Sequence, residues 1–377
     1  MLLVDALGWE LAARTPGFAG ELPHRRRLQT ILGFSSGALP TLFTGRLPSE
    51  HGRWLMYRRA GGADAPFRGF RWLRLLPSRL RRRWRLSVLL TRLVARRGVR
   101  GYFSLYQVPR ELLEEFDLAE RDDLFVPGGL PGDSWWDAVA RAGFRWRGWN
   151  WRTSESEALD AMELALERGP EDFLFCYTAG LDAALHREGS GGAGVRERLA
   201  LYDAWLTRNV HAARRRGEEL RLVLLSDHGM LDVRETLDVM GLLAGLSCRW
   251  PRDYVPFFDS TFARFWWRSA AAREEVRAAL EGVRGGRWIE DDELERAGTL
   301  FPAREYGEDV YLLDPGVLMV PSFMGSRALA AMHGYDPAHP EMDAVLFANH
   351  PVPDDVRHLK DVRHFLEDGL AWLAEAR

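Results

Sequence analysis

The sequence predicts an α/β fold: a sheet core carrying helices, interrupted by two inserted segments. Three observations lead there. Short apolar runs alternate with amphipathic stretches. Several runs stop at an Asp or a His. Two long stretches also depart from this pattern in composition. The clearest expected strands are Leu2–Val4, Phe173–Tyr177, Leu222–Leu225 and Val317–Val320. Each is short, apolar and bounded by polar or Gly/Pro residues, as buried parallel strands are. Helical patterns cover Ser154–Arg168, Val195–Arg215, Ala270–Val283 and Asp361–Ala376, and no internal repeat is present.

The first inserted segment, residues 60–152, is rich in Arg and Trp and poor in strand signals. Within it, Arg71–Arg100 places arginine clusters between Leu, Trp and Val. The second, residues 245–316, carries Phe265-Trp266-Trp267, a charged helix and Glu290-Asp291-Asp292-Glu293. It reads as a small α+β unit ending in a strand at Asp309–Leu313. The core is then expected in three parts, residues 1–59, 153–244 and 317–377.

A chain of 377 residues, 46% hydrophobic and 28% charged, has ordinary globular composition and needs no disulfide to fold. The formal charge of −3 argues against specific nucleic-acid binding. Cys176 and Cys248 are the only cysteines. Cys176 sits in an apolar run and is expected as a buried thiol, and the pair makes no disulfide framework. No basic region followed by a long apolar stretch opens the chain, and no run reaches the roughly 18 apolar residues of a membrane span. A cytoplasmic location and no transmembrane segment are therefore expected. A first strand beginning almost at Met1 leaves open whether a few residues or a targeting segment precede it.

Four places set metal-ligating residue types at strand ends or on loops, where open α/β sheets bind ligands. Asp5 directly follows Leu2-Leu3-Val4; alone, it reads equally well as a turn or cap residue. In Leu224-Leu225-Ser226-Asp227-His228-Gly229-Met230, a carboxylate and an imidazole adjoin at a strand end and can reach one divalent cation. Gly229 is expected there for its tolerance of positive φ. Asp with His suits zinc or a similar transition metal better than magnesium. Asp182 and His186, four residues apart, share one face of a helical turn; an Asp cap with a surface His is the rival reading. His333, before Gly334 and Asp336-Pro337, falls on a loop. Finally, Gly33-Phe34-Ser35-Ser36-Gly37 leads into a short apolar stretch ending at Thr44-Gly45. That is a loop entering a helix N-terminus, where backbone N–H groups favour a phosphoryl anion. Ser35 is there either a reactive hydroxyl or a plain N-cap.

Taken together and in this order, these motifs resemble the alkaline phosphatase superfamily, and within it the type I phosphodiesterase/nucleotide pyrophosphatase group. The resemblance covers the core at both ends of the chain and leaves the two inserted segments outside it. It implies an alkaline phosphatase-like doubly wound core sheet with helices on both faces and inserted caps. In that family the nucleophile lies nine residues before the Thr of a Thr-Gly pair and is followed by Pro-x-x-His-Gly. Thr44-Gly45 and Pro48-Ser49-Glu50-His51-Gly52 then select Ser35. The family's ligand sets fall on Asp5, Asp227 and His228, with the Ser35 oxygen, for one divalent ion, and on Asp182, His186 and His333 for the other. The implied cofactors are two zinc ions, or manganese in their place. The implied activity is hydrolysis of a small-molecule phosphodiester, pyrophosphate or monoester through a phosphoserine.

Two departures stand out. The family's nucleophile is followed by Phe-Pro-Asn, where this chain has Ser36-Gly37-Ala38, and an Asn after the His-Gly pair is replaced by Arg53-Trp54-Leu55-Met56-Tyr57. Arg53 and Trp54 are accordingly the expected substrate contacts. The sulfatase pattern is missing. A phosphoryl or substituted-phosphoryl transferase on the same core, and a non-catalytic binding protein retaining the fold, are the alternatives. Insertions after the nucleophile commonly form lids in this superfamily. The arginine clusters, Arg81-Arg82-Arg83 above all, are therefore expected to meet the non-reacting part of an anionic or lipid-like substrate. A solvated surface and peripheral membrane contact are the other two readings of that segment.

Overall fold

In the computed structural model, which describes residues 1–62, 64–77 and 84–375, Leu2–Val4 is wholly buried between two parallel neighbours, Phe173–Thr178 and Val223–Leu225. Around this trio a six-stranded sheet runs in the order His24–Leu28, Ala344–Ala348, Val223–Leu225, Leu2–Val4, Phe173–Thr178, Trp146–Trp149. Ala344–Ala348 is antiparallel to both of its neighbours, so the sheet is mixed. The fold is the α/β one expected. Leu2–Val4, Phe173–Thr178 and Val223–Leu225 are visible as apolar runs, because both of their faces are covered.

The edge strands were not visible in that way. His24-Arg25-Arg26-Arg27-Leu28 and Trp146-Arg147-Gly148-Trp149 carry arginine because one side of an edge strand meets no further strand. Arg25 lies 4.8 Å over the Phe347 ring of the neighbouring strand, and Arg27 pairs with Asp343. Ala344–Ala348, though apolar throughout, was also missed.

The sheet belongs to a compact unit made of Met1–Leu47, Phe125–Val233 and Leu329–Arg377. Its core includes Leu2, Val4, Cys176 and Leu224 from the strands. The helix Glu155–Arg168 adds Ala158, Leu159, Met162 and Ala165, and Ala193–Arg216 adds Leu199, Tyr202, Trp205 and Leu206. These recur at helical spacing, which places one apolar stripe against the sheet. Cys176 and Cys248 are both buried free thiols.

A second unit, Pro48–Leu124 and Arg234–Ala328, has its own core. Tyr254–Phe258, Phe262–Trp267, Asp309–Leu313 and Gly286–Ile289 form an antiparallel sheet in that order, packed by Ala272, Val276 and Leu280 of the helix Ala270–Leu280. Val317–Met319 pairs with Glu235–Leu237 in a separate two-stranded ladder, so it is no strand of the central sheet despite its apolar run. The segment read as poor in strands holds Phe116–Leu118, which pairs with Tyr57–Arg59 just before the segment, and Trp146–Trp149 near its end. Among the described residues no helix is long and apolar enough to cross a membrane. Arg81, Arg82 and Arg83 lie outside the described residues.

Candidate active site

Three parallel strands, adjacent in the sheet, end at the same edge, and each delivers ligand-type side chains there. Leu2–Val4 runs into Asp5, whose N–H continues the ladder to the Thr178 carbonyl at 2.9 Å. Val223–Leu225 runs into Ser226, Asp227 and His228. Ser226 fixes that exit: its hydroxyl donates to the Leu7 carbonyl at 2.7 Å and accepts from the Val345 N–H at 2.8 Å. Phe173–Thr178 leads into the helix Gly180–Glu188, whose first turn holds Asp182 with His186 one turn on. His333 arrives from Ala331–Met332, a short strand paired with Leu231–Asp232.

Gly229 serves a different purpose from the one expected. It is not among the glycines with positive φ. A Cβ there would sit 2.0 Å from the Glu341 carbonyl oxygen, so close backbone approach is what demands glycine. Its N–H donates to the Met342 carbonyl at 2.8 Å, which draws the two segments together. Gly334, by contrast, does adopt left-handed geometry, with φ of 84°.

Two groups of three result. Asp5, Asp227 and His228 form one, and Asp182, His186 and His333 the other; in each, one ligand atom per residue lies within 4.8 Å of the others. The groups adjoin, because the His228 and His333 rings stack with centroids 3.8 Å apart and planes 10° from parallel. Ser35 Oγ reaches His228 Nε2 at 2.9 Å. Ser35 is the first residue of the helix Ser35–Thr44, and Phe34, not Ser35, is its N-cap. Phe34 meets the His333 ring edge-on at 5.2 Å, tying the helix Ser35–Thr44 to the second group.

The histidine tautomers are set by what lies behind the rings. His228 Nδ1 is 2.9 Å from the Gly229 carbonyl and His186 Nδ1 is 2.8 Å from the Ala331 carbonyl. A carbonyl only accepts, so each Nδ1 carries a proton and each ring turns its Nε2 toward the group. His228 Nε2 then faces Asp5 Oδ1 at 3.3 Å and Asp227 Oδ2 at 3.4 Å, alongside Ser35. In a Ser-His-Asp relay the carboxylate sits behind the imidazole, on the opposite nitrogen from the serine. Here both carboxylates share the serine's side, which is the arrangement of ligands around a cation.

The electrostatics agree with that. Burial, then the charges of Asp227 and Asp182, hold the Asp5 carboxyl well above the usual range. Burial and the two neighbouring imidazoles push His333 down. For His186, burial acts downward, but the nearby Asp182 carboxylate, 3.2 Å away, leaves it raised. Asp5 Oδ1, Asp182 Oδ1, Asp227 Oδ2 and His333 Nδ1 are buried without a hydrogen-bond partner. Leaving four such atoms unsatisfied costs about 1–3 kcal/mol each, more for charged groups, and divalent cations among them would remove that cost. The donor set therefore fits two metal ions of the zinc or manganese class.

Tyr177 was not among the expected residues. It pairs with Leu3 across the ladder, and Asp5 lies two positions beyond Leu3 on the same face. Its hydroxyl consequently donates to Asp5 Oδ2. The only sequence signal was a tyrosine one residue short of a strand end. Arg53 and Trp54, expected as substrate contacts, belong to the second unit and are 7% and 1% exposed. Trp54 packs edge-on against Phe262 and Tyr306 in that unit.

A family model described as type I phosphodiesterase/nucleotide pyrophosphatase matches residues 34–282. Among solved structures the chain is similar to human ectonucleotide pyrophosphatase/phosphodiesterase 5, with 14% identity over 98% of this chain and 94% of that one and a TM-score of 0.67. It is similar to the murine protein of the same name at 15% identity, covering 98% and 95%, with a TM-score of 0.66. An inactive variant of that murine protein in complex with AMP gives 17%, 98% and 94%, with a TM-score of 0.64. At these identities the likeness speaks for the fold, which is alkaline phosphatase-like. No curated protein matches the sequence. The chain belongs to the type I phosphodiesterase/nucleotide pyrophosphatase family and is a phosphoric ester hydrolase.

Proposed function

We propose that the protein hydrolyses phosphate esters through a phosphoserine formed on Ser35, with one divalent cation held by Asp5, Asp227 and His228 and a second by Asp182, His186 and His333. The observation that carries this reading is the convergence of Ser35 Oγ, Asp5 Oδ1 and Asp227 Oδ2 on one face of His228 Nε2. Bound there, such ions would supply charge neutralisation for the phosphoryl oxygens and a lowered pKa for a ligated hydroxyl. The chain's own residues supply the rest. Ser35 stands at a helix N-terminus, where N–H groups and the helix dipole favour an anionic phosphoryl group. Its Oγ gives up its proton to solvent and forms a bond to phosphorus as the bond from phosphorus to the leaving oxygen breaks, and that oxygen takes a proton from solvent. Water then attacks phosphorus, the Ser35 Oγ bond breaks, and the serine hydroxyl is restored. Two in-line displacements leave the configuration at phosphorus unchanged. Asp5 is held in place by Tyr177, and His228 and His186 by the backbone carbonyls of Gly229 and Ala331.

The murine neighbour's complex with AMP makes nucleotide esters the first substrates to try. Purified protein is expected to contain close to two zinc or manganese ions per chain by metal analysis and to release p-nitrophenol from the p-nitrophenyl ester of a nucleoside monophosphate. Ser35→Ala should abolish turnover and keep the metals, while Ser36→Ala should stay active. His228→Ala and His333→Ala should each lose a different ion. Full metal content in both histidine variants, or an inactive Ser36→Ala beside an active Ser35→Ala, would overturn the assignment.

A further inference from the structure

Between Asp64 and Glu111 the chain has thirteen arginines and no acidic residue, although its formal net charge is −3. The helix Trp84–Arg96 lies in this stretch and is two-faced. Leu90 and Val94 are fully buried in the second unit's core, with Leu86 and Leu93 packed against it. On the outer face Arg85, Val88, Leu89, Arg92 and Arg96 recur at helical spacing, forming one exposed stripe. Val88 is 39% and Leu89 49% exposed.

A neighbouring 3₁₀ segment, Phe70–Leu75, continues the theme. Phe70 and Leu73 are buried, while Trp72 and Leu75, three apart and so on one side of a 3₁₀ turn, are 41% and 86% exposed. The two elements are fastened together by Arg97, which donates to the Pro66 and Arg68 carbonyls at 2.7 and 2.8 Å and lies 4.8 Å over the Phe70 ring. Of the nine large hydrophobic side chains exposed among the described residues, four stand on these two short elements. A merely solvated cationic face needs no exposed Trp, Val and Leu.

We propose that the outer face of Trp84–Arg96, with Trp72 and Leu75, docks the protein on a membrane surface that carries anionic lipid. The apolar side chains enter the boundary between headgroups and acyl chains, and the exposed Arg92 and Arg96 extend to the lipid phosphates. Charge complementarity selects this occupant. A second copy of the chain would bring a like-charged arginine face against the first, and an apolar partner alone would leave the arginines unmatched. The face lies wholly within the second unit, so this inference stands apart from the reading of the metal groups.

The test is co-sedimentation of the full-length protein with vesicles of phosphatidylcholine containing phosphatidylserine, against vesicles of phosphatidylcholine alone. Binding is expected only to the first, weakening as salt rises. Two exposed double substitutions, R92E/R96E and V88E/L89E, should each cut partitioning by about tenfold or more, because each basic residue near such a surface contributes on the order of a fivefold gain. Both variants should keep wild-type circular dichroism and turnover of the small p-nitrophenyl ester, which shows that they fold. Equal binding to both vesicle types, binding unchanged in both variants, or no binding at all would overturn the proposal. So would loss of self-association in V88E/L89E with no vesicle effect, since the face would then meet a second copy.

Discussion

Gly334→Ala probes the link between the helix Ser35–Thr44 and the group of Asp182, His186 and His333. At φ of 84° an alanine enters the left-handed region, at a cost of roughly 1–2 kcal/mol. Its Cβ would also stand 2.3 Å from one Phe34 ring carbon and 2.8 Å from the next, closer than any carbon pair tolerates. Phe34 must then leave its edge-on seat against His333, and such overpacking adds about 1–3 kcal/mol. The sum is roughly 2–5 kcal/mol, enough to lower Tm by several degrees in a unit of this size. Because Phe34 orients a proposed ligand, affinity for one of the two ions should fall by about 10–100-fold, as when other supports of a ligand are removed. Thermal unfolding of the metal-free protein reads the first effect, and competition with a chelator reads the second. Phe34→Ala combined with Gly334→Ala should lose less than the sum of the single changes, since the clash needs both groups. Wild-type Tm and metal affinity in Gly334→Ala, or strict additivity in the double variant, would refute the reasoning.

Tyr177→Phe leaves Asp5 Oδ2 without its donor but keeps the ring packed against Phe125 at 5.0 Å; metal affinity at the Asp5 group should fall by about 10–100-fold with Tm nearly unchanged. Gly229→Ala places a Cβ 2.0 Å from the Glu341 oxygen, and thermal unfolding should report a loss of about 3 kcal/mol or failure to fold. His358, whose Nδ1 accepts the Lys360 N–H before the C-terminal helix, is held by burial at about 4 against 6.5 in the unfolded chain. Its contribution to stability should be full above pH 6.5 and be lost as pH falls toward 4; chemical denaturation of His358→Asn should show a flatter acid limb, and an unchanged limb would contradict this.

Much of the fold and the site could be read from residues alone, and the limits of that reading are physical. Leu2–Val4, Phe173–Thr178 and Val223–Leu225 announced themselves because a strand covered on both faces must be apolar along its length. His24–Leu28 and Trp146–Trp149 did not, because an edge strand can carry arginines at no cost. Val317–Met319 shows the converse: an apolar run reports burial and cannot report which sheet buries it.

By itself the sequence determined the chemical inventory of the candidate site: which ligand-type side chains it offers, their order, and their places at strand ends, where a parallel sheet gathers ligands. Spacing of four placed Asp182 and His186 on one turn, since that relation is local. Only the tertiary structure decided how the groups meet. Asp5, Asp227 and His228 come from strands far apart in the chain, and the ladder register makes them neighbours. The stacking of His228 on His333, the side of His228 that Ser35 shares with two carboxylates, the hold of Tyr177 on Asp5 and the close approach that requires Gly229 all join residues by packing. Such contacts depend on distances across the fold, which no local pattern along the chain encodes.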